Sequence, residues 1–264
     1  MGERRPEMGK WLLYQFFHKD PQIAKYLPVT RKYTHENFAE MLSKFRMVYV
    51  KPVAGSMGKG IMKVWLDGQN RIVVKKTIER QHTFANKEQA MRYIDTLRQG
   101  KMYIVQQGIH MATVGGRPLD IRVMMQREKP GGKWLFSGML AKIAGGNSIV
   151  TNTALSRGRV MDVDKALKEA LHWSNDRVSQ TITKLQQLGL YWAKHFDSYQ
   201  LYRELGFDVA VDRNGRIWLI EQNTLPSHAL FARNKANLSA YRRIQYRWGV
   251  YQRARMNRSL RAQR

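Results

Sequence analysis

The stretch Gly206-Phe207-Asp208-Val209-Ala210-Val211-Asp212-Arg213-Asn214-Gly215-Arg216-Ile217-Trp218-Leu219-Ile220-Glu221-Gln222-Asn223 reads as two strands joined by a turn. The runs 207–211 and 216–221 are largely apolar, and Asp212-Arg213-Asn214-Gly215 has turn composition. Glu221 and Asn223 stand two apart, so a strand projects them from one face, and Asp208 on the partner strand can face them. Two carboxylates and an amide oxygen make a hard oxygen site suited to Mg²⁺ held jointly with phosphates. The plainer reading makes the Asp and Asn ordinary turn residues. Against it, Asp208 and Glu221 sit beside Phe207, Val209, Leu219 and Ile220, where an unpaired carboxylate would be costly.

Upstream, Lys51-Pro52 closes an apolar run from Met47 and leads into Gly55-Ser56-Met57-Gly58-Lys59-Gly60. Glycines let backbone amides approach a polyphosphate, and a lysine on the preceding strand adds a point charge. An ordinary Gly-rich turn explains the loop equally well. It is not a Walker A loop, because Gly60 rather than Ser or Thr follows Lys59. Arg122 and Lys142 fall on a second predicted strand pair, 119–127 and 133–143. Each could be a solvated strand residue; beside a polyphosphate site they would neutralise a transferring phosphoryl group. Gln106-Gln107 ends another strand and could touch a base or ribose.

The rest of the chain predicts an α+β protein. Helices are expected from Thr34-His35-Glu36-Asn37, over 86–98 and, with interruptions, over 164–196. They are interleaved with hairpins rather than alternating with single strands, which argues for α+β layers over a doubly wound sheet. The 264 residues carry a net charge of +26, and ten of the 46 Lys and Arg lie in 233–264, so most of the excess belongs to the body. Such a field concentrates anionic partners. No apolar run is long enough to cross a bilayer; 11–17 is too short and lacks a signal-peptide cleavage site. Met1-Gly2 is followed by Pro6 where a myristoylation signal needs Ser or Thr. Zero cysteines exclude disulfides and thiolate metal sites, and a cytoplasmic protein is expected.

Taken in order, these features resemble the ATP-grasp superfamily, and most closely its YheC/YheD spore-coat-associated branch, which is similar to RimK-like carboxylate-amine ligases. The resemblance is carried by Leu27-Pro28-Val29-Thr30, Val50-Lys51-Pro52 with Gly55–Gly60, and Ile104-Val105-Gln106-Gln107. It continues through Asp120-Ile121-Arg122-Val123, Gly145–Gly158, and Gly206-Phe207-Asp208 leading to Leu219-Ile220-Glu221-Gln222-Asn223. It implies two α+β subdomains clasping ATP: a lead-in over 1–30, a small subdomain over 31–109, a large one with the Mg²⁺ site over 110–232, and a basic arm over 233–264. It further implies that Lys51 contacts the ATP phosphates and that a loop with Gly55, Ser56, Gly58 and Gly60 closes over them. Gln106, Gln107 and Ile109 would line the adenine pocket, and Lys19 would be a second ATP-contacting lysine. Arg122 and Lys142 would stabilise an acyl phosphate, Asn152 would stand near phosphate or substrate, and Asp208, Glu221 and Asn223 would hold Mg²⁺.

Three departures from the resembled pattern stand out. The N-terminal domain that usually precedes the ATP-grasp core is expected to be absent or shortened, Gln107 stands where many relatives carry Glu, and Gln222 replaces the more usual apolar residue. The leading expectation is an ADP-forming carboxylate-amine ligase acting on an acidic peptide or amino acid, in the cytoplasm or associated with the spore. Two other classes remain open. One is a non-catalytic coat or structural protein that keeps the fold. The other binds nucleic acid through the Arg-rich C-terminus, with Tyr241, Tyr246, Trp248 and Tyr251 interleaved for stacking. For that segment the favoured reading is a basic helix docked on the body with its aromatics in the core.

Overall fold

A computed structural model describes residues 9–55, 58–146, 148, 149, 151 and 158–262, the side chains of 259, 261 and 262 apart. Contacts divide the chain into two units, Pro6–Met111 with Ala144–Gly158, and Ala112–Ile143 with Arg159–Arg264.

In the first unit, Thr34 and Asn86, themselves extended, mark where two helices begin. Thr34 Oγ1 accepts from Asn37 N and Asn86 Oδ1 from Gln89 N, capping α3 (His35–Phe45) and α4 (Lys87–Arg98). Two further helices, α1 (Lys10–His18) and α2 (Pro21–Ala24), precede them. The strands are β1 (Thr30–Lys32), β2 (Met47–Pro52), β3 (Met62–Leu66), β4 (Ile72–Lys76), β5 (Gln81–Phe84) and β6 (Tyr103–Gln107). They form one antiparallel sheet in the order β1-β6-β2-β3-β4-β5. Alternation decides its two faces. Val48, Val50, Met62, Val64, Ile72, Val74 and Val105 meet Phe38, Met41, Leu42, Ala90 and Ile94 of the helices in a closed core. The other face receives Gln106, Tyr49, Lys63 and Lys75, aligned across β6, β2, β3 and β4, with Lys51 one step along β2. β1 and β5 were not expected from composition; Gln81-His82-Thr83-Phe84 has no apolar alternation and is a strand because it pairs with β4.

The second unit holds β7 (Thr113–Val114), β8 (Arg117–Gln126), β9 (Leu135–Ile143), β10 (Arg159–Met161), β11 (Glu204–Val211) and β12 (Ile217–Asn223). Its antiparallel order is β10-β9-β8-β11-β12, with β7 on β8. The helical stretch expected over 164–196 is two helices, α5 (Val163–Leu171) and α6 (Asn175–Phe196). They are parted where His172 turns left-handed (φ 53°) and Ser174 caps the next start. Gly189 lets α6 lie directly on β8: a Cβ there would stand 3.0 Å from Val123 Cγ1 and Met125 Sδ. Trp192 packs edge-on to Phe207 on the same face.

The opposite face of this sheet is divided lengthwise. At one end, α7 (Ala229–Ala232) and α8 (Ser239–Ala262) cover it, with Phe231 and Ile244 buried against Met124 and Leu140. Gly138 permits that approach, since a Cβ there would stand 2.6 Å from Ala240 Cβ. Below them His228 Nε2 donates to Glu204 Oε2 (2.7 Å), which also accepts from Gln126 Nε2 (3.1 Å). The C-terminal segment is thus a docked helix as expected, but its aromatics are not all core: Tyr246 is 66% exposed, because it points away from the side that carries Ile244.

Candidate functional site

At the other end of the same face, Asp120 and Arg122 stand two residues apart along β8, on the side that also carries Met124. Strand register then fixes their neighbours: Asp208 lies opposite Arg122, Lys142 opposite Asp120, and Glu221 opposite Asp208. Arg122 Nε donates to Asp208 Oδ1 (2.6 Å) and its NH2 to Oδ2 (3.0 Å). Lys142 Nζ stands 2.9 Å from Asp208 Oδ1 and 3.0 Å from Asp120 Oδ1. Asn223 Nδ2 donates to Asp208 Oδ2 (3.3 Å). Asp120, Arg122, Lys142 and Asp208 are all buried, so two cations and two carboxylates balance one another away from water. Gly206 makes room for the arginine, because a Cβ there would stand 3.1 Å from Arg122 Cδ.

The electrostatics follow from this packing. Burial alone would raise the Asp208 carboxyl, but Arg122 and Lys142 outweigh it and hold the group far below the usual carboxylate range. Burial opposes charge on Arg122 and Lys142 as well. Asp208 reverses that for the guanidinium, and Asp120 with Asp208 for the ammonium, so both cations are held charged above their ordinary values.

A β-bulge orients Glu221. Val209 pairs with Leu219 and Asp208 with Glu221, so Ile220 is an extra residue on β12. In an uninterrupted strand Leu219 and Glu221 would share a face. The bulge instead leaves Leu219 buried opposite Val209 and turns Glu221 to the side of Asp208. Asn223, opposite Gly206, follows it there, and Gln222, opposite Phe207, takes the other side. Two carboxylates and an amide stand on one side of one hairpin, a set whose chemistry suits a hard cation shared with phosphate. For that, Asp208, here gripped by Arg122 and Lys142, and Asn223, here turning its Nδ2 to Asp208, must present oxygens to it.

The first unit carries a separate group. Lys51 Nζ donates to Gln106 Oε1 (2.6 Å), and Gln106 Nε2 donates to Thr30 Oγ1 (2.9 Å), so a buried amide aims the lysine. Gln107 is differently engaged: its Oε1 accepts from Val29 N (3.2 Å), tying β6 to the chain ahead of β1. Ile109 is buried. Gly55, Gly58 and Gly60 have φ of 118°, 77° and 73°, a region open to glycine, so the loop after Lys51 needs these residues. Ser56 and Asn152 lie outside the described residues.

Lys19 caps α1 on an exposed turn, and among the described residues no hydrogen bond or ion pair joins it to Lys51, Gln106 or the loop. Lys10 is the lysine brought to the loop, its Nζ donating to Gly55 O (2.6 Å) while its backbone N–H reaches Val53 O (2.9 Å). Its signal was hard to read, since Lys10 is the first residue of α1 and nothing in the sequence ties it to a loop 45 residues on.

Sequence reasoning also passed over Asp120, Lys63 and Lys75. Burial and the neighbouring Lys75 lower the Lys63 ammonium. Tyr49, beside Lys63 in the register, is pushed up to about 12 by burial and so keeps its proton, which it donates to Ile149 O (3.4 Å). A period-two scan separates Lys63 from Met62 and Val64, and Lys75 from Val74, but only the strand register puts both lysines on Tyr49's face.

The family described as YheC/D like ATP-grasp matches residues 4–248. The chain is similar to endospore coat-associated protein YheD of Bacillus subtilis (strain 168), 28% identical over 232 residues, covering 85% of this chain and 49% of that protein. It is 24% identical to endospore coat-associated protein YheC of the same strain, covering 82% of this chain and 59% of that one. The chain thus spans about half the length of the curated relatives it matches. Among solved structures, the C-terminal domain of K. lactis Pby1, an ATP-grasp enzyme interacting with the mRNA decapping enzyme Dcp2, superposes with a TM-score of 0.50 at 18% identity. That alignment covers 85% of this chain and 68% of Pby1. The ATP-grasp ligase PsnB, solved with a precursor variant, Mg and ADP, gives 0.49 at 12% identity, over 92% of this chain and 58% of that one. The fold is ATP-grasp.

Proposed function

The chain belongs to the YheC/D-like ATP-grasp family, and from that premise we propose that it is an ATP- and Mg²⁺-dependent, ADP-forming ligase joining a carboxylate to an amine. The observation that carries this reading is the buried set Arg122, Lys142, Asp120 and Asp208 with Glu221 and Asn223 beside it. Fixed cations in a dry setting stabilise charge that develops on phosphoryl oxygens without reorganising at the moment of reaction.

In this reading a substrate carboxylate oxygen attacks the γ-phosphorus of ATP, the bond to the β–γ bridging oxygen breaks, and ADP leaves. The amine then attacks the acyl carbon, phosphate departs with the bonding pair, and the amine's proton goes to solvent or a base. Lys51, aimed by Gln106, and Lys10 at the glycine loop hold the ATP phosphates. Arg122 and Lys142 stabilise the acyl phosphate. Asp208, Glu221 and Asn223 would hold Mg²⁺, which supplies charge neutralisation for the phosphates. Gln106, Gln107 and Ile109 would flank the adenine.

The net charge of +26 favours an acidic peptide or amino acid as substrate. A second reading, a coat or structural protein, is favoured by the names of the two Bacillus relatives and would make the location spore-associated. ADP release with ATP, Mg²⁺ and a panel of amino acids and acidic peptides, with mass spectrometry of the products, separates the two. Ligation yields ADP and a product lighter by one water than its two substrates combined. Turnover that survives Glu221→Ala would sink the metal role of that carboxylate, and no product with any pair would favour the structural reading.

A further inference from the structure

The ligase reading makes no use of the C-terminal helix. Glu221 is the last acidic residue of the chain, and α8 holds seven arginines and no lysine. The family match stops at residue 248, whereas the helix runs on to Ala262. Docking accounts for only part of the helix. Ala240, Tyr241 and Ile244 pack into the cluster with Met124, Leu140 and Phe231. Arg243 Nε donates to Ser137 O (2.8 Å), and Arg247 NH1 donates to Phe136 O (2.5 Å) and Ser137 Oγ (3.1 Å). Trp248 lies under the guanidinium of Arg203, 5.6 Å from ring to Cζ. Those residues define the inward side.

The outward side is a different surface. Arg242, Tyr246, Gly249 and Arg253 recur at the spacing of one helical stripe. Arg242 and Arg253 are exposed, as is Tyr246 (66%), a large ring left in water. Gly249 keeps the stripe low between them, with the Arg253 guanidinium 3.5 Å from where a Cβ would sit. From Arg242 to Arg253 the stripe covers about 16 Å at 1.5 Å per residue. Exposed Arg255 and Arg258 extend the charge towards the helix end.

We propose that this outward stripe of α8 binds single-stranded nucleic acid, with Arg242 and Arg253 on backbone phosphates and a base stacked on Tyr246. Arginine in preference to lysine suits phosphate, which its planar fork meets bidentately. The exposed aromatic ring between two arginines favours a stacking ligand over an acidic peptide, which offers charge without a π-face. A lipid surface would call for a continuous apolar stripe, and Met256 and Leu260 alone supply one turn of it.

The test uses the full chain and fluorescence anisotropy with labelled oligo-dT and oligo-rU, beside a duplex, a poly-glutamate peptide and phosphatidylserine vesicles. Single strands are expected to bind most tightly, with log affinity falling linearly against log salt. Arg242→Gln with Arg253→Gln should lower that slope by about 1.4, at about 0.7 per phosphate contact on a single strand. Tyr246→Ala should weaken single-strand binding by roughly 5- to 150-fold and leave the salt slope unchanged. Thermal melting checks that the variants fold, which their outward position predicts. The proposal is overturned by equal or tighter binding to vesicles, by no single-strand binding at physiological salt, by folded variants that bind single strands like the parent, or by Arg242→Gln with Arg253→Gln weakening poly-glutamate binding as much as single-strand binding.

Discussion

Arg122 grips Asp208 through two parallel hydrogen bonds, Nε to Oδ1 at 2.6 Å and NH2 to Oδ2 at 3.0 Å, between residues that are register partners on β8 and β11. Because both are buried, the pair is an electrostatic commitment of the fold: each charge is tolerable only while the other is present. Arg122→Leu should therefore cost about 3–5 kcal/mol, the usual penalty for leaving one partner of a buried pair behind. Urea unfolding followed by circular dichroism measures it. A loss below about 1 kcal/mol would mean that water reaches Asp208 and screens it.

The same pair sets a pH dependence. The folded Asp208 carboxyl is held below its unfolded value of about 3.9, so its contribution is fully present above that pH and fades as pH falls through the folded value. Acidification from pH 5 downward should destabilise the parent more steeply than Asp208→Asn, which has no carboxyl to protonate there. Unfolding free energies measured from about pH 5 to 2 compare the two slopes. Parallel curves would exclude Asp208 as a source of the acid sensitivity.

Gly206 should resist replacement for a reason of space. A Cβ there would meet Pro226 Cβ at 2.8 Å, Arg122 Cδ at 3.1 Å and Arg122 NH1 at 3.3 Å. The proline ring has little freedom, so the segment carrying Pro226 must shift, and Arg122 must give by a few tenths of an ångström, which loosens its fork on Asp208. Gly206→Ala should cost about 1–3 kcal/mol, as overpacking does. Thermal melting gives the cost, and ADP release should fall further than stability alone explains if Arg122 serves the phosphoryl group.

What the sequence made legible was the hairpin itself, because Asp208, Glu221 and Asn223 sit in runs whose strand character is local. Two things were not local. Asp120 became part of the charged set only through the β8–β9 register opposite Lys142, and no spacing along one strand encodes a partner on another. The Ile220 bulge inverts the usual rule that residues two apart share a face, so Leu219 and Glu221 lie on opposite sides although simple alternation would have joined them. The second lysine illustrates the same limit: Lys10 and Lys19 flank one helix, and only the folded loop distinguishes them.

That distinction gives the sharpest comparison among the cations. Lys51 is aimed by Gln106, and Lys10 reaches the carbonyl of Gly55, whereas Lys19 faces solvent on the turn after α1. If the glycine loop covers ATP phosphates, Lys51→Met and Lys10→Met should each weaken binding of a fluorescent ATP analogue by roughly 10- to 150-fold, the equivalent of about 1.5–3 kcal/mol for a hydrogen bond to a charged group. Lys19→Met should bind like the parent. Because Lys10 also holds the loop, its variant should lose affinity for ATP more than for AMP, which lacks the phosphates the loop would cover. Loss of affinity in Lys19→Met with none in Lys10→Met would reverse the assignment and return the second lysine to the turn.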